Sequence, residues 1–171
     1  MTHSKTISIS LLASTLALGV MFITSTVRAA STGTVTATVT AQNISVSVAD
    51  GSISYGTIAL SSTADTTSTG TNDSQTATND GNVTEVLNIR GSNSAAWTLA
   101  GTVGANQYKH EFCVTTCDSS PSWTALTTNY QTLAGSVSSS GTQVFDLKLS
   151  TPTSSASYTV QSVDVTVQAT Q

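Results

Sequence analysis

Apolar and polar residues alternate with a period of two along most of this chain, and that period is what most restricts how it can fold. Successive side chains of an extended strand point to opposite faces, so a period of two builds one apolar and one polar face, where a helix would need a repeat near 3.6. Val35, Ala37, Val39 and Ala41 stand on one parity, against Thr34, Thr36, Thr38 and Thr40 on the other. After Gln42-Asn43 the parity inverts to Ile44, Val46 and Val48, which marks a bulge or a crossing between sheets. Asp50-Gly51 reads as a tight turn into Ile53, Tyr55, Ile58 and Leu60. Residues 61–82 hold Ser, Thr, Asp, Asn and Gly with hardly an apolar side chain, and are read as a long exposed polar loop. Strands are expected to resume at residues 83–90, 97–103, 108–115, 130–137, 144–149 and 158–169. No helical stripe runs through residues 30–171, so the pattern predicts an all-β fold, a single antiparallel β-sandwich of the immunoglobulin-like or jelly-roll-like kind. Its expected core is Ile53, Leu87, Ile89, Trp97, Leu99, Phe112, Phe145, Leu147, Leu149, Val163 and Val165.

Residues 1–29 read differently. Met1-Thr2-His3-Ser4-Lys5 is short and basic, residues 7–23 are mostly apolar, and Val27-Arg28-Ala29 ends in the small-residue pattern of a cleavage site. Together they predict a signal-peptide helix with cleavage after Ala29, and so a secreted, extracellular cell-surface protein that keeps no membrane contact afterwards. All nine acidic residues lie beyond residue 49, while Lys5 and Arg28 fall within the signal. Arg90, Lys109 and Lys148 then face nine carboxylates, a net charge of −6. Such a surface repels phosphate backbones, which excludes nucleic acid as a partner. The abundance of Val, Ile and Thr in register argues against disorder.

Few side chains are suited to chemistry. His110 is the one histidine beyond residue 29, and no Gly-x-Ser-x-Gly elbow surrounds any serine. Glu85 and Glu111 are the only glutamates from which a glycosidase pair might be built, and isolated carboxylates in a Ser/Thr-rich β-protein are ordinarily solvated. The chain is therefore expected not to be an enzyme and to carry no cofactor. Cys113 and Cys117, separated by Val114, Thr115 and Thr116, predict a disulfide in an oxidising compartment, shaping the end of a hairpin. A zinc site on His110, Cys113, Cys117 and Asp118 lacks the usual paired spacing, so no metal is expected. Lys148 sits on the parity opposite Phe145, Leu147 and Leu149 and is expected to point outward.

Tyr55-Gly56-Thr57, then Leu87-Asn88-Ile89-Arg90-Gly91, then Trp97-Thr98-Leu99 resemble the opening half of WxL-type surface domains of Gram-positive bacteria. The likeness departs from that pattern at Trp123, which is followed by Thr-Ala-Leu. It implies a secreted β-rich domain held non-covalently at the cell wall. The layout also resembles filament-forming β-sandwich subunits that donate an N-terminal strand to a neighbour. Residues 31–41 are uncharged, free of proline and alternating, so Val35, Ala37, Val39 and Ala41 form a candidate assembly strand for an open sheet edge. The alternative for this segment is an ordinary first strand of its own domain. The expected function is a self-associating structural subunit of a filament or surface layer. The competing expectation is a monomeric extracellular binding module for cell-wall glycan or a host ligand, with Trp123 and Tyr130 as the stacking rings.

Overall fold

The computed structural model describes residues 31–171, and the expected signal peptide at residues 1–29 lies outside the described residues. Alternation becomes hydrogen-bonded ladder in ten strands: β1 Val46–Ala49, β2 Thr63–Asp65, β3 Gln75–Asn79, β4 Glu85–Gly91, β5 Thr98–Leu99, β6 Gln107–Cys113, β7 Thr124–Ala125, β8 Gln131–Val137, β9 Thr142–Ser150 and β10 Val165–Thr170. Among the described residues there is no helix. Seven strands form one sheet in the order β1-β3-β9-β6-β5, with β2 also on β9 and β7 also on β6. The other three form a second sheet, β10-β4-β8. Every strand pair is antiparallel except β5 with β6, which is parallel and corrects the expectation of a purely antiparallel fold.

The two sheets share one core. Ala77, Phe112, Phe145 and Leu147 come from the larger sheet, Leu87, Ile89, Leu133 and Val137 from the smaller, and Leu126 from the link between them. Burying this much apolar surface is the main force holding such a fold together, at roughly 25 cal/mol per Å² removed from water. Of the expected core, Leu87, Ile89, Phe112, Phe145, Leu147 and Leu149 are buried, while Ile53, Leu99 and Val165 pack half-buried against it. Trp97 and Val163 are also half-buried. A Cβ at Gly91, where β4 passes the core, would stand 2.7 Å from Leu99 Cδ2, so a larger residue there forces the Leu99 side chain to shift.

Residues 61–82 are not an exposed loop. They contain β2 and β3, and β3 lies inside the larger sheet between β1 and β9. Polar side chains concealed it, because its inward positions are Gln75, Ala77 and Asn79, and the two amides are buried with their hydrogen bonds satisfied. Gln75 Nε2 donates to Asp73 and its Oε1 accepts from Gly51 N. Asn79 Nδ2 donates to the carbonyls of Val83 and Val137 at 2.8 Å each, and its Oδ1 accepts from Gly81 N. β2 and β3 both pair with β9, β2 against Lys148, Leu149 and Ser150 and β3 against residues 142–145. They amount to one strand interrupted by residues 66–74.

Three further expectations are corrected. Residues 32–45 carry no strand, so the segment 34–41 is not a first strand of its own domain. Asp50 and Gly51 do turn with positive φ, but residues 52–60 that follow form no ladder. The expected strands at 97–103 and 158–169 shrink to Thr98–Leu99 and Val165–Thr170.

Candidate functional site

A large cavity lies where strand-like sequence finds no partner. Residues 52–60 alternate half-buried Ile53, Tyr55, Ile58 and Leu60 with exposed neighbours, and the phase shift falls at Gly56, whose φ is 68°. Among the described residues, the backbone of residues 52–58 has no hydrogen-bond partner, and residues 155–164 make no backbone-to-backbone bond. Both segments line one cavity of about 950 Å³. Its floor includes Phe145, Leu147 and Leu149 of β9, with Val165 and Val167 of β10 at its side. Tyr158 and Val160 also line it and are 84% and 96% exposed, so it opens to solvent as a groove.

His110 stands at that floor. In β6 it shares parity with Tyr108 and Phe112, all three buried, and sits opposite Leu149. Its Nε2 lies 3.0 Å from the Tyr55 hydroxyl, and its Nδ1 is buried without a hydrogen-bond partner. Burial lowers its pKa to about 4 against the opposing pull of Glu111, so the ring is neutral at physiological pH. Tyr55 and Tyr108 are pushed well above the usual phenol range, chiefly by burial, and stay protonated. The rings of Tyr55, His110, Tyr108 and Trp97 follow one another at centroid distances of 5.9, 6.3 and 6.2 Å. This inward aromatic row is absent from the expected sites, although the shared parity of Tyr108, His110 and Phe112 was readable in the sequence.

The opposite face of the same sheet holds the charges. Glu111 receives Lys109 Nζ at 3.1 Å and Lys148 Nζ at 3.0 Å, and Lys148 Nζ also lies 4.6 Å from the centre of the Trp123 ring. Lys148 does point away from Phe145 and Leu147, as its parity requires, but into this cluster. Glu85 belongs to the other sheet, is buried, and accepts Ser45 N through Oε1 at 2.9 Å. The two glutamates are not brought together as a carboxylate pair.

Trp123 is half-buried, Tyr130 is 37% exposed, and they precede strands of different sheets. Arg90 lies 4.7 Å from the Tyr130 ring centre, so each candidate stacking ring already has a cation against one face. A disulfide joins Cys113 to Cys117 at the end of β6. Among the described residues no group of three or more His, Cys, Asp or Glu side chains is placed to hold a metal.

Of the candidate assembly strand, Val35 and Val39 are 92% and 96% exposed, and Ala37 and Ala41 are exposed as well. Residues 41–43 are pinned by one side chain. Asn82 Nδ2 donates to Ala41 O at 2.8 Å and Asn82 Oδ1 accepts from Asn43 N at 2.8 Å. Gly81 beside it has no room for a side chain, since a Cβ would meet Glu85 Oε1 at 2.2 Å and Asn43 O at 2.5 Å. No protein-family model, curated protein or solved structure matches this chain.

Proposed function

We propose that this chain is an exported structural subunit of the cell surface, a sandwich of immunoglobulin-like or jelly-roll-like kind that associates with its own copies by β-strand addition. The observation that carries this reading is the arm at residues 31–41: uncharged, alternating, without a strand, and with Val35 and Val39 92% and 96% exposed. An exposed segment of this pattern gains ladder hydrogen bonds and apolar burial only by adding to a sheet elsewhere. The scarcity of reactive groups fits a structural role: His110 is buried against tyrosines, and Glu85 and Glu111 stand on separate sheets. Binding of wall glycan by Trp123 and Tyr130 is supported less, because the rings belong to different sheets and each is partly covered by a cation.

Negative-stain electron microscopy of the exported protein tests the reading. Filaments or sheets are expected from the intact chain, and dispersed folded particles from a chain lacking residues 31–41. Dispersed particles from both would refute self-association.

A further inference from the structure

The arm of the proposed function needs an acceptor, and the geometry points to the groove between residues 52–60 and 157–164 as the place where residues 34–41 of a second copy insert. This rests on the strand-addition reading and names its other half. Four properties of the groove fit that occupant.

The first is backbone valence. Among the described residues, the backbone of residues 52–58 has no protein hydrogen-bond partner and that of residues 155–164 bonds only to side chains, so their peptide groups are free to pair with an added strand. A strand laid beside either segment satisfies a row of donors and acceptors at once, which a small ligand cannot do. The second is length. At about 3.3 Å per residue, residues 34–41 span roughly 26 Å, close to what residues 52–60 span when extended.

The third is pattern. Ile53, Tyr55 and Val163 are half-buried at the groove, whereas Tyr158 and Val160 expose nearly all their surface there. Exposed apolar side chains grouped around an apolar cavity mark a contact surface. A strand with Val35, Ala37, Val39 and Ala41 on one face would cover them and leave its threonines to solvent. The fourth is charge. Asp164 is the one ionised group lining the groove, and the arm carries none, so the match is apolar and neutral on both sides. Because assembly by strand addition joins copies of the chain, the occupant is the neutral, alternating segment of a second copy.

Two variants of the exported full-length chain separate the parts. Val35→Asp with Val39→Asp disables the arm and leaves the groove intact. Tyr158→Asp with Val160→Asp spoils the groove at side chains that the body itself leaves exposed, so folding is retained and is checked by circular dichroism. Each variant alone is expected to lose all large assemblies and run as a single chain in light scattering. Mixed one to one, they are expected to double in mass and grow no further, because one copy only donates and the other only accepts. If the groove variant assembles like the unmodified chain, or if the two folded variants mixed remain single chains, the groove is not the acceptor. If instead the arm variant assembles normally, strand addition itself falls, and this inference with it.

Discussion

Two buried polar side chains show how much of this fold depends on individual residues. Asn79 is fully buried and holds three backbone groups: Val83 O, Val137 O and Gly81 N. Asn79→Ala takes one hydrogen bond from each of the three, and stranding buried polar groups costs about 1 to 3 kcal/mol apiece before relaxation. The variant is expected to lose about 3 kcal/mol or more of stability, read as a lower urea midpoint at neutral pH. His110 carries a pH signature of a definite sign. Its folded pKa is about 4, against roughly 6.5 for an unfolded histidine, so between those values the unfolded chain binds a proton that the folded chain refuses. Stability from this residue is complete above about pH 6.5 and falls as the pH drops toward 4, by about 3 kcal/mol in all. His110→Gln removes that proton linkage. Urea titrations at pH 7.5 and 4.5 should show a smaller drop for the variant than for the unmodified chain, and equal drops would mean that His110 does not stay neutral when folded.

At the scale of elements, the interrupted strand β2–β3 is where local chemistry replaces regular pairing. Thr66 N donates to Leu147 O at 2.9 Å, while Thr66 Oγ1 accepts from Leu147 N at 2.9 Å and donates to Asp146 Oδ1 at 2.8 Å. Ser74 Oγ gives the same carboxylate a second donor at 2.7 Å. Thr66 thus carries the ladder across the gap with its side chain. Thr66→Val keeps the shape but strands Leu147 N and takes one donor from buried Asp146, at a cost of about 2 to 3 kcal/mol. Hydrogen exchange should report it as faster exchange at Leu147 with little change at Leu133. The disulfide does less. Closing so short a loop restrains few unfolded states, about 2 kcal/mol on the loop-entropy model, so reduction should lower the urea midpoint modestly without unfolding the protein at room temperature.

These same elements set what the sequence could reveal. β4, β6, β8 and β9 were legible because apolar residues fall on their inward parity. β3 was hidden because Gln75 and Asn79 are buried by saturated hydrogen bonds, which hydropathy does not register. The reverse error at residues 52–60 and 157–164 has a physical lesson: alternation records which face is buried, not whether a neighbouring strand pairs. The arm and the cysteine pair could be found in the sequence, whereas the groove could not, since it exists only once two distant segments meet.

For the molecule as a whole, the distribution of charge decides how assembly should respond to salt. Beyond residue 29 the chain carries three basic residues and nine acids, so copies repel one another over distances comparable to the screening length, about 8 Å at physiological ionic strength. The arm has no charge and the groove has Asp164 alone, so the contact itself gains nothing from ion pairing. Its attraction is apolar burial with backbone hydrogen bonding, which added sodium chloride does not screen. Raising the salt from about 50 mM to about 500 mM shortens the screening range to a few Å and weakens only the repulsion. Assembly is therefore expected to hold steady or increase over that range, followed by light scattering at fixed protein concentration. A steep loss with salt would mean that Lys109, Lys148 or Arg90 meets the acids of a neighbouring copy, and that charge pairing rather than the neutral arm joins the subunits.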